Sequence, residues 1–538
     1  MNSNYTATLS QNCPPRYSFC ISINFKSNFS IRSSSIRHQL NLRTRAVSNA
    51  AIDSSNDIND GHLIEKYLKS KKIVGLGSCC LDYLALVKKY PKPDEKIRTE
   101  RLEEQGGGNC ANAMTAAARL GLQSNILSKI GMDGVSDSII RELQSDGVGT
   151  DLLLRCPHKP SPFTYIIVDA QGGTRTCIHT PGAALQASDV SDPTLLDAAL
   201  KDTDVLVFDG RLAEAALVLA QEALKRRGER RLCKSSGGAC KEGLKLLVEG
   251  ERLRVGLGSL LAVADHVTTS EGFPRAWTGE SNPYDAILAA TLRLPRVKSF
   301  VSTLGVRGSI LVVPVSEDRL GNGSMGEIRT VSLADLAKEL SDRAHANLKN
   351  IGSTSKPVAC ISASGIQIQE GEVEGTAEVV RLVFSEGWRT SETKGEGEEE
   401  RTRRGNVEER MMEQLPGAFV DDVPLTTPFP RNSSLLAHVY FATAAVMPNS
   451  AVVDTTGAGD AFVGTLALGL ALGLSPPATL RLAAAVAACK CTALGARAGL
   501  PWTRPQQSMA DKKSADSMTN SAVATQVPLL ISTLRSLG

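Results

Sequence analysis

The chain has 538 residues, of which 42% are hydrophobic and 22% charged, and its formal net charge is +3. It is longer than one ordinary domain and has enough apolar residues to bury a large core. So small a net charge gives no argument for binding to nucleic acid or to a membrane surface. No apolar run approaches the roughly 20 residues that a membrane-spanning helix needs.

The N-terminal segment differs in composition from the rest of the chain. No acidic residue precedes Asp53, whereas arginines and lysines punctuate a stretch rich in serine and asparagine. This composition is typical of an organelle transit peptide, and the abundance of serine favours the chloroplast over the mitochondrion. The alternative is a disordered basic tail on a cytoplasmic protein. We therefore predict that residues 1–60 are a transit peptide or disordered tail, and that the fold begins near Ile64.

Short apolar runs alternate with helical patterns from Lys72 to Val313. This alternation predicts an α/β fold with a mostly parallel central sheet and helices on both faces. Two stretches, 96–103 and 164–169, instead have the pattern of half-exposed strands. The predicted buried strands are 73–76, 125–130, 205–208, 244–248 and 300–303, and the clearest predicted helices are 111–120 and 214–226.

Residues 106–121, GGGNCANAMTAAARLG, place three glycines directly before a helical pattern. Glycines such as Gly108 allow close backbone approach, and Asn109 and Asn112 fall on one face of the starting helix because they are three residues apart. A carboxamide both donates and accepts hydrogen bonds, which suits a hydroxyl group that does the same. The alternative is a glycine turn in which Asn109 only caps the helix.

Residues 454–460, DTTGAGD, lead directly into the apolar stretch AFVGTLALGLALGLS. The first amides of a helix lack partners within it, and the helix dipole favours negative charge there. The pattern therefore predicts an anion hole formed by the amides of Gly457, Ala458 and Gly459. Asp460 lies in the first turn, where its carboxylate could take a proton from an attacking hydroxyl. The alternative is a tight turn in which Asp460 only complements the dipole.

These two motifs, in this order, resemble the two signatures of the PfkB, or ribokinase-like, carbohydrate kinases. The stretch 81–112 is most similar to ketohexokinase and its plant relatives. The resemblance covers 64–505 and implies a small β lid over the sugar, ATP and Mg2+ as cofactors, and a potassium-type ion near Asp454 and Thr456. It implies Asp460 as the catalytic base, a substrate site at Asp82, Gly108, Asn109 and Asn112, and nucleotide contacts at Thr303, Gly305 and Gly308.

The chain departs from the family pattern in three places. Residues 229–243 stand where a short link is expected, and residues 315–435 are far longer than the usual connection and include a charge run. We expect 315–435 to be a largely disordered or regulatory insert, because long structureless loops are uncommon inside compact domains. The NxxE pattern that organises magnesium in many relatives is not evident in TTSEGFPRAW. Residues 506–538 are predicted to be a C-terminal tail.

The function predicted from these features is ATP-dependent phosphorylation of a primary hydroxyl of a sugar or sugar-like substrate. Two alternatives stay open. One is a catalytically idle, kinase-like plastid scaffold, and the other is a nucleoside kinase with the same phosphate apparatus. The intact glycines and carboxylate of DTTGAGD favour an active enzyme over the scaffold.

Overall fold

The computed structural model describes residues 65–172, 174–234, 243–294, 296–316, 328–350, 359–362, 365–368, 373–375, 379–385, 430, 432–445 and 451–502. Residues 1–60 and 506–538, and the charge run near residue 400, lie outside the described residues. Within the described part of the chain, no helix has the length and apolar character that crossing a membrane would require.

The described elements alternate between strands and helices for most of the chain. The strands are β1 (Lys72–Leu76), β2 (Cys80–Val87), β3 (Arg101–Gly107), β4 (Gln123–Gly131), β5 (Val148–Gly149), β6 (Leu153–Cys156), β7 (Phe163–Asp169), β8 (Thr174–Thr180), β9 (Thr203–Phe208), β10 (Lys245–Gly250), β11 (His266–Ser270), β12 (Ser299–Thr303), β13 (Ser309–Pro314), β14 (Thr330–Ser332), β15 (Ala359–Ser362), β16 (Gly365–Ile368), β17 (Val373–Gly375), β18 (Val380–Val383) and β19 (Ser434–Ala442). The helices are α1 (Asn109–Arg119), α2 (Gly134–Ser145), α3 (Ala187–Val190), α4 (Pro193–Leu200), α5 (Ala213–Lys234), α6 (Leu257–Ala262), α7 (Gly272–Thr278), α8 (Pro283–Leu292), α9 (Leu333–Asn350), α10 (Ala458–Leu472) and α11 (Pro476–Lys490).

A large, mostly parallel sheet forms the centre of the molecule. Its strands follow the order β14-β18-β19-β13-β12-β11-β10-β9-β1-β4-β5, and the pairs from β12 to β4 are all parallel. Alternate side chains of β9 enter two different cores, with Val205 and Val207 on one face and Leu206 and Phe208 on the other. Burial on both faces explains why these strands read as continuous apolar runs in the sequence. The predicted α/β fold with a mostly parallel central sheet is confirmed.

Four strands form a second, smaller sheet, which we call the lid: β2 pairs with β3 and β7, and β7 pairs with β8. The predicted strand at 164–169 is confirmed as β7. The predicted strand at 96–103 is displaced, because β3 runs from Arg101 to Gly107. Its first pair is Arg101 with Leu86, one residue before β2 ends at Val87, and the Glu100 amide still donates to the Leu86 carbonyl at 2.8 Å.

The segment 315–435 contains more ordered structure than the sequence analysis expected. Helix α9 buries Leu333, Leu336 and Leu340 completely, and β14 and β18 extend the central sheet beyond β19. Ser385, just after β18, donates from its amide to the Asp285 carboxylate in α8 at 3.0 Å. Helix α9, β14 and β18 are therefore packed against the central sheet and α8, which differs from the expectation of a largely disordered insert for these parts of the segment. The other long segment, 229–243, begins as a continuation of α5 to Lys234.

Candidate active site

The N-terminus of α10 lies where the DTTGAGD motif meets the helix. Gly457 is the N-cap residue with φ 77°, and a Cβ there would lie 2.8 Å from the Ala496 carbonyl oxygen, so only glycine fits. The Ala458 amide donates to the Thr455 carbonyl at 3.2 Å, which removes one of the three amides assigned to the anion hole. Among the described residues, the amides of Gly457, Gly459 and Asp460 have no hydrogen-bond partner. These three amides are the donors available to an anion.

The Asp460 carboxylate is buried and held by one carboxamide. Asn112 donates from Nδ2 to Asp460 Oδ2 at 2.7 Å, and Arg497 donates from Nε to Asn112 Oδ1 at 2.9 Å. Burial and, to a smaller extent, the nearby Glu251 raise the pKa of Asp460 to about 7, even though the Asn112 hydrogen bond and Arg211 lower it. A carboxylate with such a pKa is suited to accept a proton near neutral pH.

The three glycines before α1 each make room for a different group. A Cβ on Gly106 would lie 2.0 Å from Arg497 Nη1, and one on Gly107 would lie 2.2 Å from Asp82 Oδ2. Gly108 has φ 91°, and a Cβ there would lie 2.6 Å from the Ser78 carbonyl oxygen. The motif therefore brings the lid carboxylate, the buried guanidinium and the start of α1 into contact.

Asp82 lies on the inner face of the lid, 8% exposed. Cys80 Sγ is 3.5 Å from Asp82 Oδ1, and Thr164 Oγ1 is 3.2 Å from His179 Nδ1 on the neighbouring strands. Burial raises the pKa of Asp82, and hydrogen bonds from Cys80 and Thr164 partly oppose this. Asp82 thus lies among polar side chains on the buried face of the lid.

The carboxyl ends of β9 and β10 add charged groups that the sequence analysis did not assign. Asp209 Oδ2 accepts from the Ser78 amide at 2.7 Å and from the Cys110 amide at 3.3 Å, so it fixes the turn after β1 against the start of α1. Arg211 donates to Asn109 Oδ1 at 3.2 Å and to Glu251 at 2.8 Å. Asn109 therefore faces a guanidinium, at the strand-end edge where open α/β sheets bind ligands.

Asp454 organises the turn that leads into α10. Its Oδ1 accepts from the Thr456 amide at 2.9 Å and from Thr456 Oγ1 at 2.7 Å, and its Oδ2 accepts from the Gly495 amide at 2.9 Å. Arg175 on β8 reaches within 3.8 Å of the same carboxylate. The completely buried Lys490 donates from Nζ to the Asp454 main-chain carbonyl at 2.7 Å.

The residues assigned to the nucleotide lie together at the end of β12. Thr303 is the last residue of that strand, and its Oγ1 donates to the Thr269 carbonyl at 3.3 Å. Gly305 has φ 60° and faces open space, whereas Gly308 has φ 102° and packs against the Ala442 carbonyl of β19. Only part of this loop is thus open to a ligand.

The structure brings one cluster of predicted residues into direct contact and leaves other predicted residues at its rim. Asn112 is hydrogen-bonded to Asp460, Arg497 connects Asn112 with the Gly107 carbonyl, and Gly457 packs against Ala496 next to Arg497. The residues that were missed are the charged side chains between them, namely Arg175, Asp209, Arg211, Lys490 and Arg497. The available signal was VLVFDGR, which ends in a charged Asp-Gly-Arg after a buried strand and contains Asp209 and Arg211.

Known proteins are similar to this chain over the segments that contain these residues. The family model described as pfkB family carbohydrate kinase matches residues 70–321 and 434–503. A ribokinase of Staphylococcus aureus (strain COL) is 28% identical over 160 residues, which cover 30% of this chain and 52% of that protein. A ketohexokinase of Mus musculus is 27% identical over 111 residues, covering 21% of this chain and 37% of that protein. The chain thus spans about half or less of the length of these curated relatives.

Among solved structures, a putative ribokinase from Agrobacterium tumefaciens aligns with a TM-score of 0.48 and 19% identity, covering 82% of this chain and 97% of that one. The Arabidopsis thaliana ribokinase complexed with ribose and ATP aligns with a TM-score of 0.46 and 16% identity, covering 80% and 96%. The family model matches more than half of this chain and includes both glycine motifs and Asp460. The chain therefore belongs to the pfkB family of carbohydrate kinases.

Proposed function

We propose that this protein is an ATP-dependent kinase that phosphorylates a primary hydroxyl of a sugar or sugar-like substrate. The observation that carries the proposal is the arrangement at the start of α10. There the buried Asp460 carboxylate lies beside three amides, those of Gly457, Gly459 and Asp460, that have no partner among the described residues. A pKa of about 7 leaves this carboxylate able both to ionise and to accept a proton near neutral pH.

In the proposed reaction, the substrate oxygen forms a bond to the γ-phosphorus while the bond between that phosphorus and the ADP oxygen breaks. The hydroxyl proton moves to the Asp460 carboxylate, and the negative charge on the transferred phosphoryl group faces the free amides of α10. Positioning and electrostatic stabilisation of this kind are the main contributions of a protein to phosphoryl transfer. Asn112 keeps Asp460 in place, because it donates to Oδ2.

ATP fits the proposal because the helix N-terminus offers an anion site and the loop at Gly305 is open. Mg2+ is proposed to accompany the ATP phosphates, which it would neutralise. The described residues contain no cluster of three or more histidine, cysteine or acidic side chains able to hold a metal ion. In the stretch where relatives carry NxxE, Glu271 pairs with Arg307 and Phe273 is buried. We therefore assign no protein ligand to magnesium.

The inner face of the lid favours a hydroxyl-rich substrate. Asp82, Thr164 and His179 are polar and belong to the face that contains the site. The aromatic cluster of the lid, which includes Tyr83 and Tyr165, lies on the opposite face, and Tyr165 is 50% exposed. On the described lid strands no phenylalanine, tyrosine or tryptophan ring faces the site, which leaves a nucleoside base little stacking surface there apart from the His179 imidazole. This distribution favours a sugar over a nucleoside.

The experiment that tests the proposal is a substrate panel with the purified full chain, read as ADP release. Ketoses, aldoses and nucleosides would be compared with an Asp460→Asn control under the same conditions. Release that depends on one sugar and disappears in the control is the expected result. Release with a nucleoside alone would support the nucleoside kinase, and no release with any acceptor despite measurable ATP binding would support the idle scaffold.

We also propose that residues 1–60 direct import into the chloroplast, based on the absence of acidic residues before Asp53. A fusion of these residues to a fluorescent protein should enter plastids. A mitochondrial or diffuse cytoplasmic signal would contradict this proposal. Residues 506–538 are proposed to be a tail that the reaction does not need, which a truncation before residue 506 would test by its turnover.

A further inference from the structure

One buried charge in the site has no part in the reaction as proposed. Lys490 is the last residue of α11 and is 0% exposed. Its Nζ donates to the main-chain carbonyl of Asp454 at 2.7 Å and to that of Ala493 at 3.3 Å. A buried ammonium group is costly unless it is paired, so a position of this kind needs a compensating function or strong partners.

The partners of Lys490 belong to the turn that shapes the anion site. Asp454 opens the DTTGAGD motif, and its carboxylate is already occupied by Thr456 and by the Gly495 amide. With Lys490 on its carbonyl, both the side chain and the main-chain oxygen of Asp454 have donors. Burial lowers the pKa of Lys490, while the charge of Asp454 opposes this decrease, so the pair partly compensates the cost of burial.

The resemblance to the family implies a potassium-type ion near Asp454 and Thr456. Such an ion is bound by oxygen atoms that replace its hydration shell. Here the Asp454 oxygens accept hydrogen bonds from the chain, and Thr456 Oγ1 donates to one of them. A positive charge is also already present, because Lys490 lies on the Asp454 carbonyl. The residues present therefore do not fit a potassium ion at this place.

We propose that the Lys490 ammonium replaces the monovalent cation and makes this protein independent of K+. The tethered group has the charge of K+ and three N–H donors, which suit main-chain carbonyls. Lys490 is a positioning residue: it fixes the Asp454 turn, and this turn sets where the Gly459 and Asp460 amides point. The inference about the turn rests on the described contacts, and only its effect on turnover rests on the proposed function.

The first test uses the unmodified full chain. Its melting temperature and its ADP release would be measured in chloride salts of K+, Na+ and tetramethylammonium at equal ionic strength, which keeps charge screening constant. We expect the melting temperature to be the same in the three salts, and turnover to agree among them within about twofold. A rise in melting temperature or turnover that is specific to K+ would overturn the proposal.

The second test removes the ammonium group. Lys490→Ala should lower the melting temperature and reduce turnover about tenfold, as loss of an outer contact often does at ion sites. K+, but not tetramethylammonium, should restore much of both losses, because the shortened side chain leaves room for an ion. Lys490→Met fills the same space without charge and should not respond to K+. A folded Lys490→Ala protein without a K+-specific response would contradict the replacement.

Lys72 offers a matched control for these variants. Its Nζ also donates to two main-chain carbonyls, those of Ala198 at 3.0 Å and Lys201 at 2.9 Å, but at the start of β1 and outside the site. Lys72→Ala should give the same melting temperature in K+ and tetramethylammonium. A K+-specific recovery in Lys72→Ala would mean that cation effects are general, and it would overturn the assignment to Lys490. Because melting temperature needs no substrate, these outcomes remain distinct from a failure of the proposed kinase activity.

Discussion

Asp460→Asn tests two properties of the Asp460 carboxylate separately: its proposed role as the base in turnover, and the effect of its burial on the free energy of unfolding. The carboxamide has nearly the same shape and can still accept the hydrogen bond from Asn112, which lies 2.7 Å from Asp460 Oδ2. It cannot take a proton from an attacking hydroxyl. General-base catalysis contributes about 100- to 10,000-fold, so turnover should fall by this factor while ATP binding persists. Retention of more than about half of the activity would refute the assignment of Asp460 as base.

The same substitution should stabilise the protein above neutral pH. The pKa of Asp460 is raised from 3.8 to about 7 in the folded state. Between these values the folded state holds the proton more tightly than the unfolded state, so the free energy of unfolding falls as the pH rises. Three pKa units correspond to about 4 kcal/mol. Because asparagine stays neutral, the variant should be more stable at pH 8 and lose this advantage towards pH 4.

Asp454→Asn provides the control of opposite sign. Burial alone would raise the pKa of Asp454, but the hydrogen bonds from Thr456 and the charge of Lys490 outweigh burial and lower it. Its ionised form therefore stabilises the folded state above its unfolded pKa, and this contribution disappears as the pH falls through the folded pKa. Asp454→Asn should be destabilising at pH 8 and neutral in acid. Denaturant titrations at both pH values would measure each effect, and equal shifts for the two variants would refute the reasoning.

Three further predictions concern the glycine turn, the lid and the long segment. Gly457→Ala should lower the free energy of unfolding, measured with denaturant, by about 1 to 2 kcal/mol, because the residue has φ 77° and a Cβ would meet Ala496. Gly459→Ala should lower it less, because no atom lies within 4 Å of a Cβ at that position. Asp82→Ala should weaken sugar binding by ~1 to 3 kcal/mol and leave ATP binding unchanged by calorimetry; equal losses for both ligands would count against its placement. Replacing 386–429 with a Gly/Ser linker should keep turnover within about threefold, because the entropy of loop closure depends only weakly on loop length. An inactive linker protein would show that 386–429 contribute to the site. Deleting 328–350, in contrast, should destabilise the fold.

The chain motifs predicted those parts of the site that are local in sequence. Gly457 and Asp460 are three residues apart, and the rules for helix N-termini apply to them directly. The contacts that complete the site join residues far apart: Asn112 and Arg497 are separated by 385 positions, and Asn112 and Asp460 by 348. No local pattern distinguishes such a buried arginine from an exposed one, so Arg497 could not be assigned from a single sequence.

The central sheet was predictable because its strands are buried on both faces, but its extension beyond β13 was not. The stretch 333–340, LADLAKEL, has apolar residues at helical spacing that match the buried face of α9. The length of the whole segment 315–435 and the charge run within it led to the expectation of disorder. Periodicity within the segment was the better indicator, because a buried helical face depends on local spacing and not on the total length of the segment.

The Asn112 side chain links the buried Arg497 to the Asp460 carboxylate. A carboxamide can present either its oxygen or its nitrogen to a neighbour, and only the nitrogen can donate to Asp460. Arg497 donates to Oδ1 of Asn112 and is itself fixed by the Gly107 carbonyl at 3.2 Å. This contact leaves Nδ2 facing Asp460, and the resulting hydrogen bond opposes the effect of burial on the Asp460 pKa. The first glycine motif, which holds Arg497 through the Gly107 carbonyl, therefore influences Asp460 in the second motif through Asn112. The Asp460 pKa of about 7 reflects both burial and the hydrogen bond from Asn112.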